Sequence, residues 1–238
     1  MHPTASSSRR ALIWACLLAI MLGMGGCSSE AKERAAFASF LQTRIVDKPG
    51  VHVPRLTPEE EKSFGGYARH YGVIRDFNSA MDAKVSVPMR ELIGKGMPRS
   101  MQDLMARRAD IATLRATSVK LRSNIDAELA IADAKRAALT QPDDLKRVYD
   151  QAYARTVSDP AKMVSAFMPA VESTMASAEK MADFLAAHKD QITFRGNMLQ
   201  VNDPTLLAEA NQLMAQMQSK SNDVIDAQRK MNALISGR

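Results

Sequence analysis

The residue whose position points most clearly to chemistry is Cys27. It directly follows two glycines at the end of an uncharged apolar run, residues 11–24, and the pair Arg9-Arg10 precedes that run. A secretory signal consists of a basic start, an apolar middle and small residues before the cleavage site. The apolar run is short for a transmembrane span. We therefore expect residues 1–26 to be a signal peptide and Cys27 to become the new N-terminus.

The cysteine count indicates what happens to that residue. Cys16 is the only other cysteine and lies inside the predicted signal, so the mature chain cannot form an internal disulfide. A single cysteine directly after a signal is best explained as an acylation site. The pattern resembles the bacterial lipobox, in which a diacylglyceryl thioether forms on the cysteine and the freed amine is then acylated, although Met24 stands where leucine is commoner. Two or more such chains hold a protein stably in a bilayer, whereas one holds it marginally.

Ser28 bears on the destination of the protein. By the same resemblance, an aspartate directly after the cysteine would mean retention in the inner membrane, so Ser28 acts as a sorting residue for the periplasmic leaflet of the outer membrane. We therefore expect a protein of the cell envelope that contacts the membrane through the lipid on Cys27.

No other group of reactive side chains points to a reaction. His52, His70 and His188 lie far apart and have no second ligand three or four residues away, which argues against a metal site on one helix. Asp143 and Asp144 are adjacent, so on a helix they point about 100° apart, a poor geometry for an acid and base pair. No nucleophile elbow, P-loop or zinc-protease motif occurs. We therefore predict no catalytic, cofactor-binding or metal-binding residues, and a protein that is not an enzyme.

The charge balance is mildly basic. The chain has 32 basic and 26 acidic residues, a net charge of +6, and loss of Arg9 and Arg10 with the signal leaves about +4. Such a charge favours lipid headgroups or acidic cell-wall polymer, but interspersed signs without a run of five like charges are also typical of an ordinary solvated surface. Basic and aromatic residues are not interleaved as in single-strand binders, so we expect no nucleic-acid partner.

The mature chain is patterned as amphipathic helices. Thr57-Pro58-Glu59-Glu60 has the form of a capping box that starts a helix, and its buried face is predicted to be an aromatic stripe running from Phe64 to Phe77; this stripe is read as core, with a ligand site as the alternative. Ser158-Asp159-Pro160 and Asp203-Pro204 are predicted to start two later helices. Residues 191–201 alternate like a small β-hairpin.

The segment from Ser100 to about Leu139 contains no proline or glycine and has heptad-like apolar spacing. As a single helix it would be on the order of 60 Å long, so it should be bent or shared between two layers of a bundle. Its basic residues lie off the apolar stripe. They predict either a groove for phosphate-bearing lipid or polymer, or a solvated face paired with the acidic residues of the same segment, namely Asp110, Asp126, Glu128 and Asp133.

These patterns together predict a mostly all-α protein, an elongated or two-layer bundle of five to seven helices with a small hairpin at 191–201. We expect a signal at 1–26, a short lipidated tether at 27–35 and a single helical domain at 36–238 with a joint at 87–99. Thirteen of the 16 methionines follow Cys27. Flexible methionines suit either gap-filling in a core or an adaptable apolar groove.

The chain resembles the YiaF-like bacterial lipoproteins, a family known as a domain of unknown function. The resemblance rests on the signal with Cys27 and on short motifs that occur in order along nearly the whole mature chain: Ala36-Phe37, Phe40-Leu41-Gln42, Leu56-Thr57, Phe64-Gly65, Asp143-Asp144-Leu145-Lys146, Asp150-Gln151-Ala152-Tyr153 and Pro169-Ala170. It implies an envelope lipoprotein and brings no activity, cofactor or catalytic residue.

Two functions remain open on the sequence. The first is a non-catalytic binding or structural role in the periplasm, with an envelope protein, peptidoglycan or lipid as partner. The second is a carrier or chaperone for a hydrophobic ligand that uses the Met-rich helix faces, which requires an apolar cavity. A third class, an envelope hydrolase, would need a cleft with converging carboxylates.

Overall fold

The computed structural model describes residues 29–94, 96, 98–195 and 198–236, which form a helical bundle with one small hairpin. The mostly α-helical prediction is confirmed. The helices are α1 (29–41), α2 (Pro58–Phe64), α3 (Ala68–Met81), α4 (Val87–Gly94), α5 (Met101–Ala106), α6 (Arg108–Ala137), α7 (Asp143–Tyr153), α8 (Asp159–Ala187) and α9 (Pro204–Ser236). The strands are β1 (Ile192–Arg195) and β2 (Met198–Val201), and they pair antiparallel with Ile192 opposite Val201. No described helix is long and apolar enough to cross a bilayer.

Helix α1 is already formed at residue 29, so residues 29–35 of the segment predicted as tether are helical. It continues into a wider π turn, Gln42–Val46, and buries one apolar side against the rest of the bundle. Phe37, Leu41 and Ile45 are fully buried there. The chain then turns away at Gly50, whose φ of +75° is a left-handed conformation that glycine adopts without strain.

The predicted capping box at the start of α2 is confirmed. The Glu60 N–H donates to Thr57 Oγ1 at 3.2 Å, and the Thr57 N–H donates to Glu60 Oε2 at 2.9 Å. Pro58 occupies the first turn, where its missing N–H costs nothing. These contacts satisfy N–H groups that a helix start otherwise leaves without partners.

The prediction that Ser158-Asp159-Pro160 starts a new helix is wrong. Helix α7 instead runs through a π turn, Ala154–Ser158, directly into α8, and Ser158 itself has helical dihedrals and makes no capping bond. Pro160 has no N–H to donate to the carbonyl of Thr156, four residues earlier. Asn78 Nδ2 from α3 donates to that carbonyl at 3.2 Å, so a neighbouring side chain supplies the missing donor and the helix continues.

The same solution recurs before Pro88. A π turn, Asp82–Ser86, joins α3 to α4, and Asn124 Nδ2 of α6 donates at 3.1 Å to the carbonyl of Lys84, four residues before the proline. The helix therefore continues through Pro88 to Gly94. Helix α4 thus occupies residues 87–94 of the joint predicted at 87–99, and residues 96, 98 and 99 are not helical.

The predicted long helix is interrupted once. A turn at Arg107 separates α5 from α6, and α6 alone has 30 residues, about 45 Å at 1.5 Å per residue. Its buried residues keep the heptad spacing of three and four throughout: Ile111, Leu114, Ser118, Leu121, Ile125, Glu128 and Ala132. Because of this spacing, one side of α6 packs against neighbouring helices along its whole length.

Helix α6 is shared between two core layers, one of the alternatives its length required. The aromatic layer lies at its C-terminal half and is built by α1, α2, α3, α6, α7 and the start of α8; its largest members are Phe37, Phe40, Phe64, Tyr67, Tyr71, Phe77, Tyr149 and Tyr153. The distal layer lies at the other end and is built by α5, α6, α8, the hairpin and α9; its members are Leu104, Ile111, Met181, Ala182, Phe184, Leu185, Ile192, Leu206 and Ala210. The predicted aromatic stripe is therefore core.

Candidate functional site

Cys27 and Ser28, the predicted lipidation and sorting residues, lie outside the described residues. The first described turn of α1 nevertheless shows where the chain arriving from Cys27 meets the body. Glu30 accepts a hydrogen bond from the Tyr67 hydroxyl at 3.2 Å, and Arg34 Nε lies 3.5 Å from an Asp144 carboxylate oxygen. We call these four residues the N-terminal junction. It ties α1 to the turn that precedes α3 and to α7, and it gives Asp144 an ion-pair partner.

His70 lies beside the N-terminal junction and is held on several sides. Its Nδ1 is 2.9 Å from Gln141 Nε2, its ring meets that of Tyr67 edge to face, and its backbone carbonyl accepts from the Tyr149 hydroxyl at 2.9 Å. Burial, with Arg69 nearby, lowers the pKa of His70, because both disfavour the charged imidazolium. Burial and the Glu30 carboxylate raise the pKa of Tyr67. Both side chains are thus kept neutral near pH 7.

Five of the six basic residues of α6 are paired with carboxylates on other helices. Three of them at seven-residue spacing face carboxylates of α8: Arg108 pairs with Asp183, Arg115 with Glu179 at 2.8 Å and Arg122 with Glu172 at 2.8 Å. The prediction of a paired face is therefore correct for these residues, but the partners differ from the predicted acids of α6 itself. The sequence could not distinguish them because antiparallel packing of α6 on α8 brings the α8 acids closer.

A second candidate site is an apolar groove between α5, α6, α8 and α9. Its volume is about 410 Å³, and its wall includes Met101, Leu104, Leu114, Met175, Ala178 and Met217. This volume falls at the lower end of the range for small-ligand sites, which are usually lined by apolar side chains with a few polar groups. We call it the methionine groove. Methionine is suited to such a wall because its unbranched thioether adapts to irregular shapes.

The rim of the methionine groove carries one cation. Arg99 and Ser100 lie there just before α5, and they form its N-cap: the Asp103 N–H donates to Ser100 Oγ at 3.1 Å and Asp103 Oδ2 accepts from the Arg99 N–H at 2.9 Å. The Arg99 side chain is exposed and has no ion-pair partner among the described residues. The capping bonds therefore fix the backbone of Arg99 while its guanidinium remains available to a ligand.

The groove was only partly foreseeable. The abundance of methionine indicated either core or groove, but the wall combines residues of four helices and of the segment before α5, which together span more than a hundred positions of the sequence, from Pro98 to Ser221, and no local pattern links them. Of the predicted histidines, His70 belongs to the neighbourhood of the N-terminal junction, while His188 packs on Phe184. Within residues 29–236, where described, no three metal-ligating side chains come together.

Comparison with known proteins gives a family but no activity. A family model described as a protein of unknown function, DUF3053, matches residues 15–232. The uncharacterized protein YiaF of Escherichia coli K12 is 26% identical over 200 residues, which cover 83% of this chain and 84% of that protein. The YiaF of Shigella flexneri matches to the same extent. No solved structure matches the chain.

Proposed function

We propose that this chain, which belongs to the DUF3053 family of proteins of unknown function, is a lipoprotein anchored through Cys27 at the periplasmic face of the outer membrane, with a non-catalytic binding or structural role. Its helical body would present one or more surfaces to an envelope protein, to peptidoglycan or to lipid. The activities of the family and of YiaF are unknown, so no substrate carries over from them.

The observation that carries this proposal is the position of α1. Only Ser28 separates Cys27 from residue 29, where the helix is already formed, and the two residue-to-residue steps span at most about 7 Å when extended. The helix is fixed in the aromatic layer by Phe37, Leu41 and Ile45, each fully buried. A lipid on Cys27 would therefore hold the body close to the bilayer, with the N-terminal junction near the membrane.

The distance from this junction to the methionine groove favours a role at some distance from the membrane. The groove lies near Ile111 and Leu114, whereas α6 ends at Ala137 and the next helix begins beside the N-terminal junction. From Leu114 to Ala137, α6 rises about 35 Å at 1.5 Å per residue. An anchored chain would thus expose the distal layer to the periplasm.

The test is mass spectrometry of the N-terminal peptide from membrane-extracted protein, combined with crosslinking of intact envelopes. We expect a peptide that begins at Cys27 with a diacylglyceryl and an N-acyl group, and crosslinks to an envelope protein or a wall fragment. Cys27→Ser is the matched control and should lose both modifications. An unmodified Cys27 in a freely soluble product would contradict the anchor, and bait-only crosslinks across several conditions would contradict the binding role.

The methionine groove favours a second candidate function, a carrier for a hydrophobic ligand. An apolar space of about 410 Å³ between helices is what the carrier hypothesis requires and a fully packed core would lack. Organic extraction of the purified protein followed by mass spectrometry should recover a bound apolar molecule. Ala178→Phe, which fills the groove from α8, should reduce the recovered amount, and equal recovery from both proteins would contradict the carrier.

A further inference from the structure

We propose that the methionine groove binds a single acyl chain that ends in an anionic group, with the chain between α6, α8 and α9 and the anion on the guanidinium of Arg99. The proposal deepens the carrier function and rests on it. The ligand class follows from three features of the groove: its lining, its size and the charge at its rim.

The lining selects a flexible apolar chain. Met101, Met175 and Met217 come from three helices and line the groove. The lining also includes small side chains, Thr174 and Ala178 of α8 and Ser221 of α9. The Thr174 hydroxyl is already used within the protein, since it lies 2.9 Å from the Ala170 carbonyl and 2.8 Å from the Lys220 carbonyl. The wall therefore offers mainly dispersion contacts to a ligand, which suit a chain of methylenes.

The size favours one chain over two. A volume of about 410 Å³ lies near the bottom of the range for ligand pockets, so a two-chain phospholipid would leave most of its apolar surface in water. Burying each methylene of a single chain is favourable. Adjustable methionine rotamers would let the groove close around chains that differ by a few carbons.

The charge at the rim selects the head group. Arg99 is the cation on the groove wall, and its side chain pairs with no described acid. The Asp103 carboxylate accepts a hydrogen bond from the backbone N–H of Arg99 at 2.9 Å, and within the described part of the chain no ion pair joins it to the Arg99 guanidinium. A guanidinium can bind a carboxylate or phosphate through two parallel hydrogen bonds. A fatty-acid carboxylate or the phosphate of a single-chain lipid would both present this chemistry.

The test uses the full-length protein in nanodiscs with a palmitate analogue that carries a photoreactive diazirine in its chain. After irradiation, peptide mass spectrometry should find adducts on the segments containing Met101, Met175 or Met217, and excess unlabelled palmitate should suppress them. Arg99→Gln should weaken labelling about tenfold, as loss of a charge-assisted contact predicts. Arg147→Gln, an exposed arginine on α7, is the matched control and should label like the natural protein.

Other results would show separately whether the anionic head group or the whole acyl site is wrong. If methyl palmitate competes as well as palmitate, or if Arg99→Gln labels normally, the anionic head group is wrong while the carrier function stands. If no groove peptide is labelled and Ala178→Phe changes nothing, the acyl site and the carrier function both fall. A single-chain phospholipid competing more strongly than palmitate would assign the anion to a phosphate.

Discussion

The two core layers of this protein meet on one helix but are packed by different means. In the aromatic layer, rings contact rings: Phe37 lies 5.3 Å from Phe64 and Phe40 lies 5.3 Å from Tyr71, between ring centroids. All four tyrosines of the chain are there, and each hydroxyl donates to another element or loop: to Glu30, the Pro54 carbonyl, the His70 carbonyl and Asp133. Large rings with satisfied polar ends fill space and fix relative positions.

The distal layer relies on smaller and more flexible side chains. Ala182 and Ala210 are fully buried there, alongside Met181 and Leu185, and the hydroxyls of Ser173 and Ser177 bond back to their own helix. Such side chains let α8 and α9 approach but fill less of the space around them, and the methionine groove remains. The difference teaches that the end nearest the proposed anchor is packed by rings whose polar ends are hydrogen-bonded, whereas the methionine groove adjoins the layer built from smaller and more flexible side chains.

The largest effect that tests this contrast is expected from Phe37→Ala. Phe37 is fully buried among rings, so its truncation should lower the free energy of unfolding by about 3–5 kcal/mol. The comparison change is Met175→Ala in the wall of the methionine groove, where the side chain is half-buried, so its loss should cost less than the roughly 2–5 kcal/mol expected for a fully buried methionine. Urea denaturation measures both. Equal losses would show that the two layers do not differ in packing.

The next effect is expected from Asn78→Ala in α3. This change leaves the Thr156 carbonyl, already deprived of a donor by Pro160, without the amide at 3.2 Å, and an unsatisfied buried acceptor costs about 1–3 kcal/mol. Asn124→Ala is the control, because its bond to the Lys84 carbonyl is exposed to water and should cost less. Chemical denaturation of both variants gives the comparison; a larger loss for Asn124→Ala would contradict the assigned roles.

A smaller effect is expected from pH at His70, beside the N-terminal junction. The pKa of His70 is lowered in the folded protein, so the unfolded chain, with an ordinary histidine pKa of about 6.5, binds the proton more readily. Stability is therefore fully present above about pH 6.5 and falls as the pH drops below it. His70→Gln should flatten this part of the stability curve measured between pH 5 and pH 8. An unchanged slope would exclude His70 as its source.

The smallest effect is expected along the α6 and α8 ion pairs. Arg115 and Glu179 are 2.8 Å apart, but half of the arginine side chain is exposed, and such pairs contribute about 0–1 kcal/mol. Arg115→Gln should therefore lower stability slightly in low salt and not at all in 1 M salt, where the charges are screened. A loss that persists in high salt would indicate a packing role for the arginine stem.

Much of the secondary structure could be predicted from local chemistry. The capping box at Thr57, the cap at Asp203 and the hairpin at 191–201 all formed where side-chain spacing placed them, because these features depend on residues within a few positions of one another. The start assigned to Ser158 was wrong for the opposite reason. Its outcome depended on Asn78, distant in sequence, which supplies the donor that Pro160 lacks.

The candidate sites divide in the same way. The position of Cys27 after an apolar run is a local pattern, and the sequence alone predicts its acylation. The methionine groove brings together residues from four helices, and whether Met101, Met175 and Met217 pack into core or line a space depends on how closely those helices approach. The pairing of Arg115 and Arg122 with acids of α8 likewise depends on how α6 and α8 pack against each other.

By itself, the sequence determined the helical class, the starts and turns of most elements and the predicted site of the lipid, since periodicity, capping and a processing signal act over short stretches of chain. Only the tertiary structure decided which helices run through their prolines, how α6 divides into two layers and where an apolar space remains. Those outcomes depend on contacts between distant segments, whose packing energies no single stretch of the chain contains.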